Sequence, residues 1–138
     1  MDEAIKSYSE IRSFHLFANM SDENFSVLMR RTYLQNFPPQ VELMIEGEQS
    51  DFLHVLLTGS VELSSSWNNR QTTISTITPI STFILAASIK DTPYLMSAKT
   101  LEKSCIALIP SANVRRVFDI DHHLARAVVT ELAQCYST

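Results

Sequence analysis

From Val41 to Leu108 the sequence is cut into short runs that read as strands, and this segmentation limits the fold more than any other feature. "FLHVLL" (52–57) is apolar on both faces, the pattern of a strand covered on both sides, with His54 sharing a face with Phe52 and Leu56. "VELSSS" (61–66) sets Val61 and Leu63 against Glu62 and Ser64, while "VELMI" (41–45) alternates imperfectly. "QTTISTI" (71–77) is rich in Thr and Ile, residues that suit a pleated surface. Asn tolerates positive φ, so Asn68-Asn69 between these two runs predicts a hairpin tip. Further strands are expected near 83–85, 95–100 and 104–108. Short runs spaced about 8–12 residues apart suggest a sandwich or roll. The chain has only two glycines, Gly47 and Gly59, and both fall where a tight connection would need φ > 0.

Both ends read as helical. Residues 4–13 carry a weak amphipathic pattern. A helix is expected at about 21–31: Ser21 caps it, Asp22 and Glu23 suit its dipole, and Met20 and Phe25 have staple spacing. Pro38-Pro39 closes this region and opens the extended one. After Pro110, Ser111 is placed to cap "ANVRRVF", and Asp121 to cap a last helix in which Leu124, Val128, Leu132 and Cys135 form one stripe. Such a stripe packs either on its own domain or on a second copy. The pattern is still running at Thr138, without a Gly, Pro or basic stop, as expected of a helix that continues. The division is therefore 1–32 N-terminal helices, 33–110 a β-roll core and 111–138 C-terminal helices, all in one domain.

Composition excludes several functions. A net charge of −4 with scattered Lys and Arg leaves no footprint for nucleic acid or an anionic membrane. The longest apolar stretch, around "FILAASI", is too short to span a bilayer, and the N-terminus is charged and polar rather than signal-like, so a cytoplasmic protein is expected. Cys105 and Cys135 are too few for a zinc or iron–sulfur site and read as buried thiols. Gly-x-Ser-x-Gly, phosphate-loop and His-x-x-x-His motifs are absent, so an enzyme is not expected.

Helix, β-roll, then a long striped helix, with "IEGEQSDFLHVLLTGSVEL" at 45–63 and "SAKTLEKSCIALIP" leading out, resembles the sensor domain of the CRP/FNR family of bacterial transcription regulators. The resemblance implies a mainly β fold with flanking helices: a double-stranded β-helix, or jelly roll, of the cyclic-nucleotide-binding type, plus a long C-terminal dimerisation helix. It implies a homodimer through Leu124, Val128, Leu132 and Cys135, with DNA bound only by a further helix-turn-helix domain. The alternative is a stand-alone binding or scaffold module of the same fold.

In the cyclic-nucleotide binders that the chain resembles, a Gly-Glu pair opens a short helix and an Arg about ten residues later neutralises the phosphate, as at any anion site. Those positions fall here at Leu85-Ala86 and at Met96, just before Ser97. Cyclic AMP is therefore not expected by that route. Phe83, Leu85, Ala86, Met96 and Ser97 outline an apolar pocket that is filled by its own side chains, takes an apolar ligand such as haem, a quinone or a fatty acyl group, or holds a diverged site for a small anion or nucleotide. A haem would need an axial ligand, for which His15, Met44, His54, Met96 and Cys105 are the candidates, His54 foremost as a long shot. No metal site is expected.

Overall fold

The computed structural model describes residues 2–137; of these, the side chains of residues 2–5, 67 and 135–137 lie outside the described residues. Helix α1 (Asp2–Ser13) is followed by α2 (Asp22–Leu28), whose N-cap Ser21 accepts the Asn24 N–H at 3.1 Å. α2 stops at Leu28, three residues short of the expected end, because Arg31 takes a left-handed φ of 61° and turns the chain.

Eight strands follow: β1 (Tyr33–Phe37), β2 (Glu42–Met44), β3 (Phe52–Thr58), β4 (Val61–Trp67), β5 (Arg70–Ile77), β6 (Ser81–Phe83), β7 (Ser97–Thr100) and β8 (Ser104–Pro110). They form two four-stranded sheets, β1-β8-β3-β6 and β2-β7-β4-β5, with every described pairing antiparallel. The β4–β5 hairpin turns at Asn68 and Asn69, with φ of 51° and 63°, as their tolerance of that region predicts. A short helix, α3 (Leu85–Lys90), interrupts the strands where an extended run near 83–85 was expected; β6 ends at Phe83 and Ile84 swings into the left-handed region. The chain closes with α4 (Ser111–Ile120) and α5 (His122–Ser137). Ser111 does not cap α4. Pro110 holds that position, and the Ser111 hydroxyl bonds Ser88 Oγ at 2.9 Å.

Period-two alternation in β3 and β8 divides the apolar residues into two cores. Leu53, Val55, Leu57, Ala107 and Ile109 face a helical core with Phe17, Phe25, Leu28, Val114, Val117, Leu124 and Val128. Leu56, Ile106 and Leu108 face the interior of the roll, with Met44, Val61, Leu63, Phe83, Ala87, Tyr94 and Ala98. The central strands of the first sheet are thus covered on both sides, as "FLHVLL" requires. α3 joins the two cores: Leu85 enters the helical one and Ala87 the roll interior.

Gly47 and Gly59 have φ of 93° and 98°. A Cβ on Gly47 would meet nothing within 4 Å, whereas one on Gly59 would lie 2.6 Å from the Lys103 carbonyl oxygen and 2.7 Å from Ser104 Cα. Gly47→Ala is therefore expected to cost about 1–2 kcal/mol, for the left-handed backbone alone. Gly59→Ala adds about 1–3 kcal/mol of overpacking against backbone that cannot rotate away. Urea denaturation of the two variants checks this order.

Candidate functional site

Two regions of the roll interior bear on ligand binding. The first is the α3 cassette. Ile84 precedes α3 at φ 54°, ψ 40°, a conformation that costs a β-branched residue about 1–2 kcal/mol, and its side chain packs against the roll core. Ser50 ties α3 to the β2–β3 connection by donating from Oγ to the Ala87 carbonyl at 3.0 Å and the Thr92 carbonyl at 2.5 Å. Arg115 of α4 donates to the Ser88 carbonyl at 3.2 Å and pairs with Asp91 at 3.4 Å.

The five residues expected around an effector do not share one chamber. Phe83 is in the roll core and Met96 packs against it. Leu85 belongs to the helical core instead, because the helix begins there and turns its side chain away from the roll interior. Ala86 is half-buried, and Ser97 Oγ accepts the Glu46 N–H at 2.9 Å. Leu85, Ala86 and Met96 bring no charged group to the cassette, and Lys90 is exposed. The donor set does not fit a cyclic nucleotide phosphate. That anion would lose a charge-assisted bond worth about 1.5–3 kcal/mol and leave its desolvation uncompensated.

The second region is a cleft of about 330 Å³, lined by Leu43, Met44, Phe52, His54, Tyr94 and Leu108 with Glu48, Gln49 and Asp51. The sequence reading picked out His54 here but not Tyr94, whose only signal is a lone phenol flanked by Pro93 and Leu95. Main-chain bonds fix the cleft: the Tyr94 N–H donates to the Glu48 carbonyl and the Gly47 N–H to the Tyr94 carbonyl, each at 2.9 Å. The Tyr94 hydroxyl donates to the Phe52 carbonyl at 2.9 Å. Burial, with the nearby Asp51 and Glu48 carboxylates, pushes that phenol above its ordinary pKa.

His54 is 5 % exposed, lies against the rings of Phe83 and Tyr94 at 5.4 and 6.4 Å, and leaves Nδ1 buried without a hydrogen-bond partner. Burial pulls its pKa down to about 4, outweighing a backbone contact at Phe52 that acts the other way. The remaining haem candidates do not converge on it: His15 pairs with Glu131 at 2.9 Å on the helical side, and Cys105 is on β8 opposite Thr58. Met44 alone lines the same cleft.

The stripe on α5 is placed differently from the expected subunit seam. Leu124 and Val128 are each 1 % exposed within the chain's own helical core, and Leu132 packs against it. Within the chain they help the helical layer to cover the first sheet. Cys135, the fourth seam residue, has its side chain outside the described residues. Among the described residues of α5, Val129 is the large apolar side chain that is exposed. The start of α5 is held by Asp121, whose Oδ1 accepts the Leu124 N–H at 2.9 Å and whose Oδ2 accepts from Asn24 Nδ2 at 2.8 Å. Burial alone would raise the pKa of this carboxyl; the bonds from Asn24, Leu124, Ser21 and His123 outweigh burial and hold it below the ordinary value.

Residues 34–121, more than half of the chain, match the family model of the cyclic nucleotide-binding domain. The chain belongs to the cyclic nucleotide-binding domain family. No curated protein sequence matches it. Among solved structures that share this family's fold, it is similar to the sensor domain of the transcriptional regulator DNR from Pseudomonas aeruginosa, with 21 % identity and a TM-score of 0.83, covering 94 % of this chain and 92 % of that one. It is also similar to the catabolite activator protein of Thermus thermophilus (15 %, TM-score 0.73), with 86 % of this chain matched and just over half of that protein, 56 %, spanned. A third similar structure is the regulatory domain of Toxoplasma gondii PKA with cAMP (14 %, TM-score 0.75), covering 85 % of this chain and 46 % of that one. These likenesses show the fold that the chain shares with them. No helix among the described residues is long and apolar enough to cross a membrane.

Proposed function

We propose that this chain is the effector-sensing and dimerisation domain of a CRP/FNR-type transcription regulator, cytoplasmic, with a trigger other than cyclic AMP. The observation that carries the second half is the apolar filling of the cassette: Leu85 and Ala86 open α3, and Met96 stands where a guanidinium would be required. The first half is supported by the family, by the likeness to the DNR sensor domain, and by the contact of α3 with both cores, which gives a ligand in the roll a mechanical route to α5.

In this reading two copies meet along the outward face of α5, around Val129, and DNA is bound by a domain beyond Thr138. An effector would bias the angle between paired helices, a two-state element read at a distance. Haem is disfavoured in the cleft, since its carboxylate groups would face Glu48 and Asp51. The self-filled scaffold module remains the rival reading, supported by the packed roll interior. Isothermal titration with cyclic AMP and cyclic GMP is expected to give no binding heat at micromolar nucleotide; micromolar binding of either would refute the proposed trigger.

A further inference from the structure

We propose that the cleft bordered by Glu48, Asp51, Phe52, His54 and Tyr94 binds a small aromatic amine carrying a positive charge. The inference names a ligand class for the effector reading above and rests on it only for the biological role of the site. Its charge is of one sign: Glu48 and Asp51 line the cleft, and no Lys or Arg does. Glu48 spends Oε1 on the Ile45 N–H at 2.7 Å, and Gln49 turns its amide to Asp91 at 3.2 Å. The Asp51 carboxylate has no hydrogen bond or ion pair among the described residues. A carboxylate without a partner beside buried rings offers a cation both a charge-assisted bond and a π face.

The lining below the carboxylates decides what carries that charge. Phe52, Tyr94 and Leu43 contribute rings and aliphatic surface beside the carboxylates, a mixed lining that matches a guest with both an aromatic body and a charge. A bare metal ion is a poor occupant, since no group of three or more His, Cys, Asp or Glu among the described residues is arranged to hold one. His54 supplies the independent sign of a ligand. Its side chain lines the cleft while 5 % exposed, and Nδ1 has no partner. A buried polar nitrogen left in that state costs about 1–3 kcal/mol and calls for a reason. Nδ1 is sealed from the cleft as the ring now lies, so a bound amine gains it as an acceptor by turning the imidazole toward itself. A volume of about 330 Å³ is near the lower limit of ligand pockets and suits a single-ring molecule.

Phenethylamine and phenylacetate share a ring and differ in charge, so they separate the possibilities. Titrated calorimetrically into the whole chain, phenethylamine is expected to bind at millimolar concentration or tighter, with phenylacetate at least about tenfold weaker. Asp51→Asn, at an exposed position, is expected to weaken phenethylamine about tenfold, and the His54 imidazole nitrogen resonances should move on its addition. Equal binding of the two compounds, undiminished binding to Asp51→Asn, still imidazole resonances, or no binding of either would each overturn the proposal. Cyclic AMP run in parallel reports on the effector reading alone, so the two claims fail separately.

Discussion

A Val128→Asp variant is expected to lose its fold, and Val129→Asp to keep it. Val128 is 1 % exposed in the helical core, packed among residues from β3, β8 and α4, whereas its neighbour Val129 is 62 % exposed. Asp at position 128 would bury a carboxylate with no cation among the core residues, at a cost of about 3–5 kcal/mol. Domains of this size are stable by only about 5–15 kcal/mol, so such a loss is a large share of the whole. Far-UV circular dichroism with urea denaturation would register it as a collapse of the transition midpoint. Asp at position 129 projects from the covered layer and is expected to change stability by less than about 0.5 kcal/mol. Its effect should instead appear in sedimentation, as loss of the proposed dimer. If Val128→Asp folds normally and becomes monomeric, the core assignment of α5 is wrong. If Val129→Asp remains dimeric, the proposed contact face is wrong.

Acid should weaken the protein through His54. Its pKa is 6.5 when free and about 4 in the fold. A lowered folded value means that the unfolded chain binds the proton more tightly, so stability is complete above about pH 6.5 and falls as pH drops toward 4. At about 1.36 kcal/mol per unit, the loss across this window is roughly 3 kcal/mol. His54→Phe keeps a ring against Phe83 and Tyr94 and removes the proton. Its unfolding free energy, measured by urea at successive pH values, should be flat where the parent protein slopes. A parent protein equally stable at pH 6.5 and pH 4.5 would contradict the neutral, buried imidazole. Asp121 contributes separately: its pKa is held below the ordinary 3.8, so the loss it brings comes only as pH falls through and below that value.

The elements most legible in the sequence were those whose signal is local. Ser21 and Asp121 cap the helices for which they were read, and Asn68-Asn69 turns the hairpin. Strand β1 was not read because its residues are largely exposed; pairing with β8, a partner about 70 residues away, makes it a strand. The α5 stripe was legible as apolar, but periodicity cannot say whether an apolar face meets its own sheet or another copy. For the pocket, the absence of Arg and Glu from the cassette could be read directly. That Leu85 and Phe83, two residues apart, enter different cores could not, because the change from strand to helix between them depends on the left-handed turn at Ile84. The cleft was invisible for the same reason: Glu48, His54 and Tyr94 meet only once the roll is closed.

Because α3 presents Leu85 to one core and Ala87 to the other, in the proposed sensor it would work as a rocker with a load on each arm. Protein interiors leave little free volume to absorb a shift, so a guest that lifts one arm must depress the other. The sensing device would then be the short helix itself, pivoting on the hydroxyl and guanidinium ties at Ser50 and Arg115, and the long helix would serve as its pointer.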